Sequence, residues 1–269
     1  MQRVTSRNNA RLREVVRLIE SSRDRRKSGR CVLEGAHLID VYTARVGAPE
    51  TLVVVDDRLD DHAIAQLLAR VPPSRIVAIP RTVFCDLATL PPDIGALAVV
   101  TAPRAAPSGP GEFCLILEDV QDPGNVGSMI RTAAAAGVDQ VVLSPHCAFA
   151  WSPKALRAGQ GAHFLTMLVE NADLDAWLAT FRAGGGTLVA TVAGDAPSLY
   201  ESDLRGRLAL AIGSEGGGLS PALIARADRR VTIPMASGSE SLNAAAAAAV
   251  VLFEATRQRS ARARLARSR

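Results

Sequence analysis

Cysteine is sparse in this 269-residue chain. Cys31, Cys85, Cys114 and Cys147 stand far apart, with no C-x-x-C pair and no Cys/His cluster of zinc-binding spacing. They are expected as scattered buried thiols, and no metal site is expected. Long apolar runs are missing as well. The longest, Ala244 to Phe253, falls well short of the roughly 20 residues a membrane helix needs, so no transmembrane span is expected. The basic start MQRVTSRNNARLREVV leads into no apolar stretch and no small-residue cleavage site, so a secretory signal is not expected and the cytoplasm is the expected compartment.

Three common catalytic signatures are also absent. A dinucleotide fingerprint requires G-x-G-x-x-G, but Gly213-Ser214-Glu215 puts an acid where the second glycine must let a pyrophosphate approach. There is no G-x-x-x-x-G-K-[ST] to cradle a nucleoside triphosphate. A Ser–His–Asp hydrolase would need a G-x-S-x-G elbow, which is lacking, and only His37, His62, His146 and His163 could serve as its base.

The composition that is present, 48% hydrophobic against 22% charged, is that of a core-forming protein. Its net charge of +4 hides a strong segregation. Residues 1–30 carry +7 and residues 257–269, RQRSARARLARSR, carry +6, so the body between them is acidic. Basic ends suggest a polyanionic partner, because the guanidinium fork matches phosphate, and nucleic acid is the commonest such partner. For the C-terminal stretch alone, a solvated, frayed tail explains the charge equally well.

The segment TAPRAAPSGPG, Thr101 to Gly111, has the proline and glycine content of a linker. It divides the chain into an N-terminal domain over 1–100, a linker over 101–111, a larger domain over 112–257 and a basic tail over 258–269. Few packing contacts should cross such a linker, so a fragment beginning near Gly111 is expected to fold alone. Before the linker, the pattern predicts helices at Asn8–Glu20, Gly35–Arg45 and Asp61–Arg70. Strands are predicted at Arg30–Leu33, TLVVVDD, SRIVAIP and IGALAVV. After it, strands FCLILED, QVVLS, TLVATVA, LALAIG and RRVTIPM alternate with helices at Val126–Ala136, Leu174–Arg182, Pro221–Ala227 and Leu242–Arg257. The fold class is therefore α/β, with a mainly parallel sheet covered by helices on both faces.

Polar and glycine-rich loops directly follow three of these strands: EDVQDPGNVGSMIR, GSEGGGLS and IPMASGSESLN. The longer strings EDVQDPGNVGSMIRTAAAAG, AIGSEGGGLSP and IPMASGSESLNAAAAAAV resemble, in order and approximate spacing, the three motifs of the SpoU, or TrmH, family of RNA ribose 2′-O-methyltransferases. More loosely, TSRNNARLREVV and CVLEGAHLIDVY resemble that family's ribosomal-protein-like substrate-binding extension.

The resemblance implies a trefoil knot in the C-terminal sheet, S-adenosylmethionine as cofactor, and a homodimer whose active site uses both subunits. It implies catalytic roles for Asn125, Arg131, Glu215, Ser241 and Asn243. It also implies a cofactor pocket built from Thr191, Gly213, Glu215, Gly216, Ile233, Met235, Ser241 and Leu242. A guanidinium stays protonated in proteins, so Arg131 is expected to clamp phosphate and stabilise a developing alkoxide before it abstracts any proton. Local roles compete with these. Asn125 could simply cap its helix, Ser241 the last helix, and the run Ala244–Ala249 could reflect helix propensity or tight packing alike.

The stretch WSPKALRAGQGA resembles a family segment that often reads R-A-S-x-G-A, with Gly159 in place of the usual serine. Arg157 in it, with Arg7, Arg25 and Arg26 of the basic N-terminus, is expected to contact RNA. Ribosomal RNA of the 23S class is the expected substrate, because an N-terminal domain would add its own RNA surface. The alternatives are transfer RNA, or an RNA-binding assembly protein of the same fold that has lost catalysis.

Overall fold

The computed structural model describes residues 1–87, 94–103, 109–237 and 241–267, the last seven of these by backbone alone. The chain forms two compact units: residues 1–103 with 151–165, and residues 104–150 with 166–269.

The first unit is built from β1 (Gln2–Arg3), α1 (Ala10–Glu20), α2 (Ser22–Ser28), β2 (Arg30–Glu34), α3 (Ala36–Arg45), β3 (Thr51–Val55), α4 (His62–Arg70), β4 (Ile76–Ile79), α5 (Arg81–Cys85) and β5 (Ala96–Thr101). Its sheet runs β1-β4-β3-β5-β2, with β5 antiparallel to both neighbours. Strands β2 to β5 are almost wholly buried, β1 is exposed, and Leu12, Val15 and Leu18 of α1 close one core with Val53, Val77 and Phe84. An amphipathic stripe at three- and four-residue spacing is what makes α1 a surface helix. The purely polar α2 had no such stripe to reveal it. It is held instead by Ser21, whose hydroxyl accepts the Asp24 N–H, and by Gly29 at φ 67°, a left-handed C-terminal stop that glycine allows.

A helix absent from the sequence reading, α7 (Pro153–Gly159), belongs to this unit although its sequence lies far downstream. Ser152 caps it and Gln160 ends it in the left-handed region. Phe164 meets Tyr42 edge to face at 5.2 Å, and Arg157 bonds the buried Glu34 at 3.1 Å.

The second unit contains β6 (Phe113–Leu117), α6 (Pro123–Ala135), β7 (Gln140–Leu143), β8 (Met167–Val169), α8 (Leu174–Ala183), β9 (Thr187–Thr191), β10 (Leu208–Ile212), α9 (Pro221–Arg226), β11 (Arg229–Val231) and α10 (Ala244–Arg267). All six strands pair in parallel in the order β11-β9-β10-β6-β7-β8. Cys114, Ile116, Ala209, Ala211, Leu188 and Ala190 pack one face against Leu178 and Phe181 of α8 and Leu223 of α9. The last helix, α10, packs on β10 and against α6.

The basic tail expected over 258–269 is not separate from the last helix, because α10 continues unbroken to Arg267. Its buried positions Ala244, Ala248, Val251, Leu252 and Ala255 fall on one face, and Gln258 anchors it by accepting the Leu204 N–H and donating to the Ser202 carbonyl. Arg257 bonds Glu254, and Arg259 lies 4.6 Å over the Phe113 ring. The linker residues 104–108 lie outside the described residues.

Candidate active site

The polar loops at the C-terminal ends of β6 and β10 and the loop before α10 meet in the second unit. At the first, Asp122 supplies the N-cap of α6, its carboxylate accepting the Asn125 N–H at 2.9 Å, with Pro123 in the first turn. Asn125 is therefore not the cap, which leaves its side chain available. At the third, Asn243 and not Ser241 caps α10, its Oδ1 accepting from the N–H groups of Ala245 and Ala246. Because that oxygen must accept, the Asn243 amide nitrogen is turned outward, and it donates to Asn125 Oδ1 at 3.3 Å. Asn125 Nδ2 in turn donates to Glu215 Oε1 at 2.6 Å. The helix cap thus fixes the orientation of both amides, so that Asn243 donates to Asn125 and Asn125 donates to the Glu215 carboxylate.

The second loop is a closed turn. Ser214 and Gly218 exchange backbone hydrogen bonds at 3.0 Å, and Gly218 adopts φ 65°. Gly213 is required for a different reason. A Cβ there would lie 2.0 Å from the Gly218 carbonyl carbon, so any side chain would collide with the turn itself. Glu118, at the end of β6, secures the base of this turn by accepting from both the N–H and the hydroxyl of Ser220 at 2.7 Å.

A cleft of about 420 Å³ opens between these loops. Every residue expected in the cofactor pocket lines it: Thr191, Gly213, Glu215 and Gly216 on one side, Ile233, Met235, Ser241 and Leu242 on the other. Ile212, Leu219 and Ile224 complete an apolar floor. In the sequence these three were indistinguishable from ordinary core positions. Thr191 Oγ1 is buried with no hydrogen-bond partner among the described residues, a polar atom that a ligand could satisfy. Residues 238–240 of the third loop lie outside the described residues.

Arg131 does not join the amide network. It is exposed on α6 and makes no hydrogen bond or ion pair among the described residues. The arginines expected to contact RNA fall in three environments. Arg7 is exposed beside Asp86, and Arg26 is exposed on α2. Arg157 is tied to Glu34. Arg25 is a correction: it is 5% exposed, and its Nη1 donates to the carbonyls of Leu18 and Ile19 at 2.6 and 2.7 Å. It closes the C-terminal end of α1 and is not a surface cation. Among the described residues, no group of three or more His, Cys, Asp or Glu side chains is placed to hold a metal ion.

The sequence model of the SpoU rRNA methylase family matches residues 112–253, which contain all three loops. This chain belongs to that family. An uncharacterized tRNA/rRNA methyltransferase of Synechocystis is 33% identical to it, over 95% of this chain and 93% of its own. The 23S rRNA (guanosine(2553)-2′-O)-methyltransferase RlmP of Bacillus subtilis is 28% identical, over 94% of this chain and 98% of its own. The crystal structure of the SpoU methyltransferase AviRb from Streptomyces viridochromogenes, in complex with AdoMet, superposes with a TM-score of 0.84 at 28% identity. That alignment covers 93% of this chain and 98% of AviRb. The matched segment contains Asn125, Arg131, Glu215, Ser241 and Asn243.

Proposed function

We propose that the chain transfers the methyl group of S-adenosylmethionine to a ribose 2′-hydroxyl in structured RNA, with large-subunit ribosomal RNA as the substrate. The observation that carries this reading is the chain of hydrogen bonds from Asn243 through Asn125 to Glu215, which joins three polar loops beside a glycine-edged cleft. The cleft lies within the roughly 300–1,000 Å³ range of small-molecule sites. Its apolar floor suits an adenine ring, and the unpartnered Thr191 hydroxyl suits a polar group of the nucleoside.

When bound, the cofactor supplies a methyl group on a sulfonium, a good leaving group. The chain's contribution is alignment, exclusion of water and charge. Asn125 holds Glu215 by one oxygen, and the other has no partner among the described residues, so the carboxylate can take the proton that leaves the 2′-hydroxyl. Arg131, a permanent cation with no partner among the described residues, clamps the RNA phosphate and stabilises negative charge on the attacking oxygen.

This reading includes a homodimer and the trefoil knot of the family. In its support, Arg131 on α6 and the 50% exposed Phe253 on α10 occupy a packed helix pair yet face solvent, as they would if a second subunit covered them. Ribosomal RNA is favoured because the B. subtilis relative, named for a 23S rRNA ribose, spans nearly the whole chain, N-terminal unit included. The cytoplasm is the proposed place of work. Mapping ribose methylation across cellular RNA with and without the protein tests the substrate. One 2′-O-methyl position in large-subunit ribosomal RNA should disappear, and a loss confined to transfer RNA would refute that choice.

A further inference from the structure

Burial of Leu12, Val15 and Leu18 against the core of the first unit turns Arg13 and Arg17, one helical turn apart on α1, to solvent. With Arg7 they line a cleft whose floor is Val16 and Leu87. Against these three guanidinium groups the walls hold, among the described residues, a single carboxylate, Glu20, and two neutral polar side chains, Asn8 and Ser21.

These arginines share one cleft, and the protein engages them only weakly. Several other cations of the unit are neutralised at close range: Arg30 by Glu14 at 2.6 Å, Arg58 by Asp61 at 2.5 Å, Arg81 by Asp57 at 2.8 Å, and Arg70 by Asp40. Arg13, by contrast, has no side-chain partner among the described residues. Arg3, Arg23 and Arg45 have no side-chain partner among the described residues either, but they lie outside this cleft. Arg17 reaches Glu14 only at 3.8 Å, through the same oxygen that Arg30 already holds, and Asp24 only at 4.0 Å. Arg7 pairs with Asp86 at 3.3 Å between half-exposed side chains, a pair that solvent screens and a stronger anion displaces.

We propose that this cleft is the RNA-backbone site of the N-terminal unit. Arg7, Arg13 and Arg17 take phosphodiester oxygens, and Val16 and Leu87 receive an unstacked base or ribose. The assignment rests on the RNA methyltransferase reading and names the surface by which the chain selects its substrate. Phosphate fits better than a lone carboxylate because the guanidinium forks line one groove and can each bind in a bidentate manner. Folded RNA, moreover, is recognised chiefly through backbone contacts and splayed bases.

The test is filter binding of the full chain to protein-free 23S ribosomal RNA across a salt series, comparing the double variant Arg13→Ala, Arg17→Ala with Arg45→Ala, an exposed arginine of α3 outside the cleft. The double variant should bind roughly tenfold more weakly at low salt, and its log–log salt slope should flatten by about 1.5, close to two lost phosphate contacts. Its melting temperature and S-adenosylmethionine affinity should not change, and Arg45→Ala should stay within about twofold of the parent. An unaltered slope, an equal loss in Arg45→Ala, or competition by polyglutamate as effective as by RNA would overturn the assignment. A parent chain that binds S-adenosylmethionine but no RNA would overturn the cleft alone, and one that binds neither would overturn the methyltransferase reading with it.

Discussion

Removing residues 1–110 should unfold part of what remains. The Pro- and Gly-rich linker suggests the opposite, a C-terminal fragment that stands alone, but residues 151–165 pack with the N-terminal unit. In the whole chain Trp151, Leu156 and His163 are 4%, 1% and 2% exposed. Val41 lies 3.0 Å from where a Cβ on Gly161 would sit, and Tyr42 packs on Phe164. An aromatic side chain buries about 150–250 Å², worth about 4–6 kcal/mol at ~25 cal/mol per Å², and a leucine adds about 1.5–3 kcal/mol. Exposing Trp151 and Leu156 therefore forfeits at most about 5–9 kcal/mol, an upper bound because the unfolded chain is itself partly collapsed. Total domain stability is about 5–15 kcal/mol, so the loss is of the same order. Urea unfolding of a 111–269 fragment, followed by circular dichroism with an apolar dye present, should show a broad transition and dye binding before any denaturant. A single sharp transition, no dye binding and the full chain's affinity for S-adenosylmethionine would refute the reasoning.

Three further outcomes follow from side chains. Arg25→Met should lower stability by about 2–4 kcal/mol, since two bonds from a charged donor to the Leu18 and Ile19 carbonyls are lost, and should leave the salt dependence of RNA binding unchanged. A flattened slope would return Arg25 to the RNA surface. Thr191→Val should weaken S-adenosylmethionine binding by roughly 2- to 10-fold while leaving the free protein as stable or more so, because it removes a buried hydroxyl that only a ligand satisfies. Calorimetry giving unchanged affinity would show that the hydroxyl has no ligand partner. Gly213→Ala should abolish cofactor binding and also lower the melting temperature, since its Cβ strikes the Gly218 backbone and not the open cleft. Lost binding with an unchanged melting temperature would contradict the collision.

Much of this was legible in the sequence because apolar strands and polar loops alternate cleanly in the second unit. The eight cofactor-pocket positions carried over from the motif resemblance all line one cleft, and strand termini missed by only a few residues. What was not legible had physical reasons. The helix α2 is entirely polar apart from its caps, so no periodicity marks it. The residue capping α10 is Asn243, two positions past Ser241, because several residues in that loop could accept a backbone N–H. The partnership of Trp151–Leu165 with the first unit is a long-range contact, which no local pattern encodes. Nor does charge counting separate Arg25, folded back onto α1, from Arg13, which faces solvent.

The central claim is tested most directly by single-turnover methyl transfer from labelled S-adenosylmethionine to large-subunit ribosomal RNA taken from cells lacking the protein, followed by digestion to nucleosides. The parent chain should place label in one 2′-O-methylnucleoside. Arg131→Ala and Arg131→Lys should each abolish transfer while retaining cofactor affinity, because Arg131 acts on the RNA side and a point charge cannot replace its planar fork. Label on a base instead of a ribose, or an Arg131→Ala variant that transfers methyl at the parent rate, would contradict it.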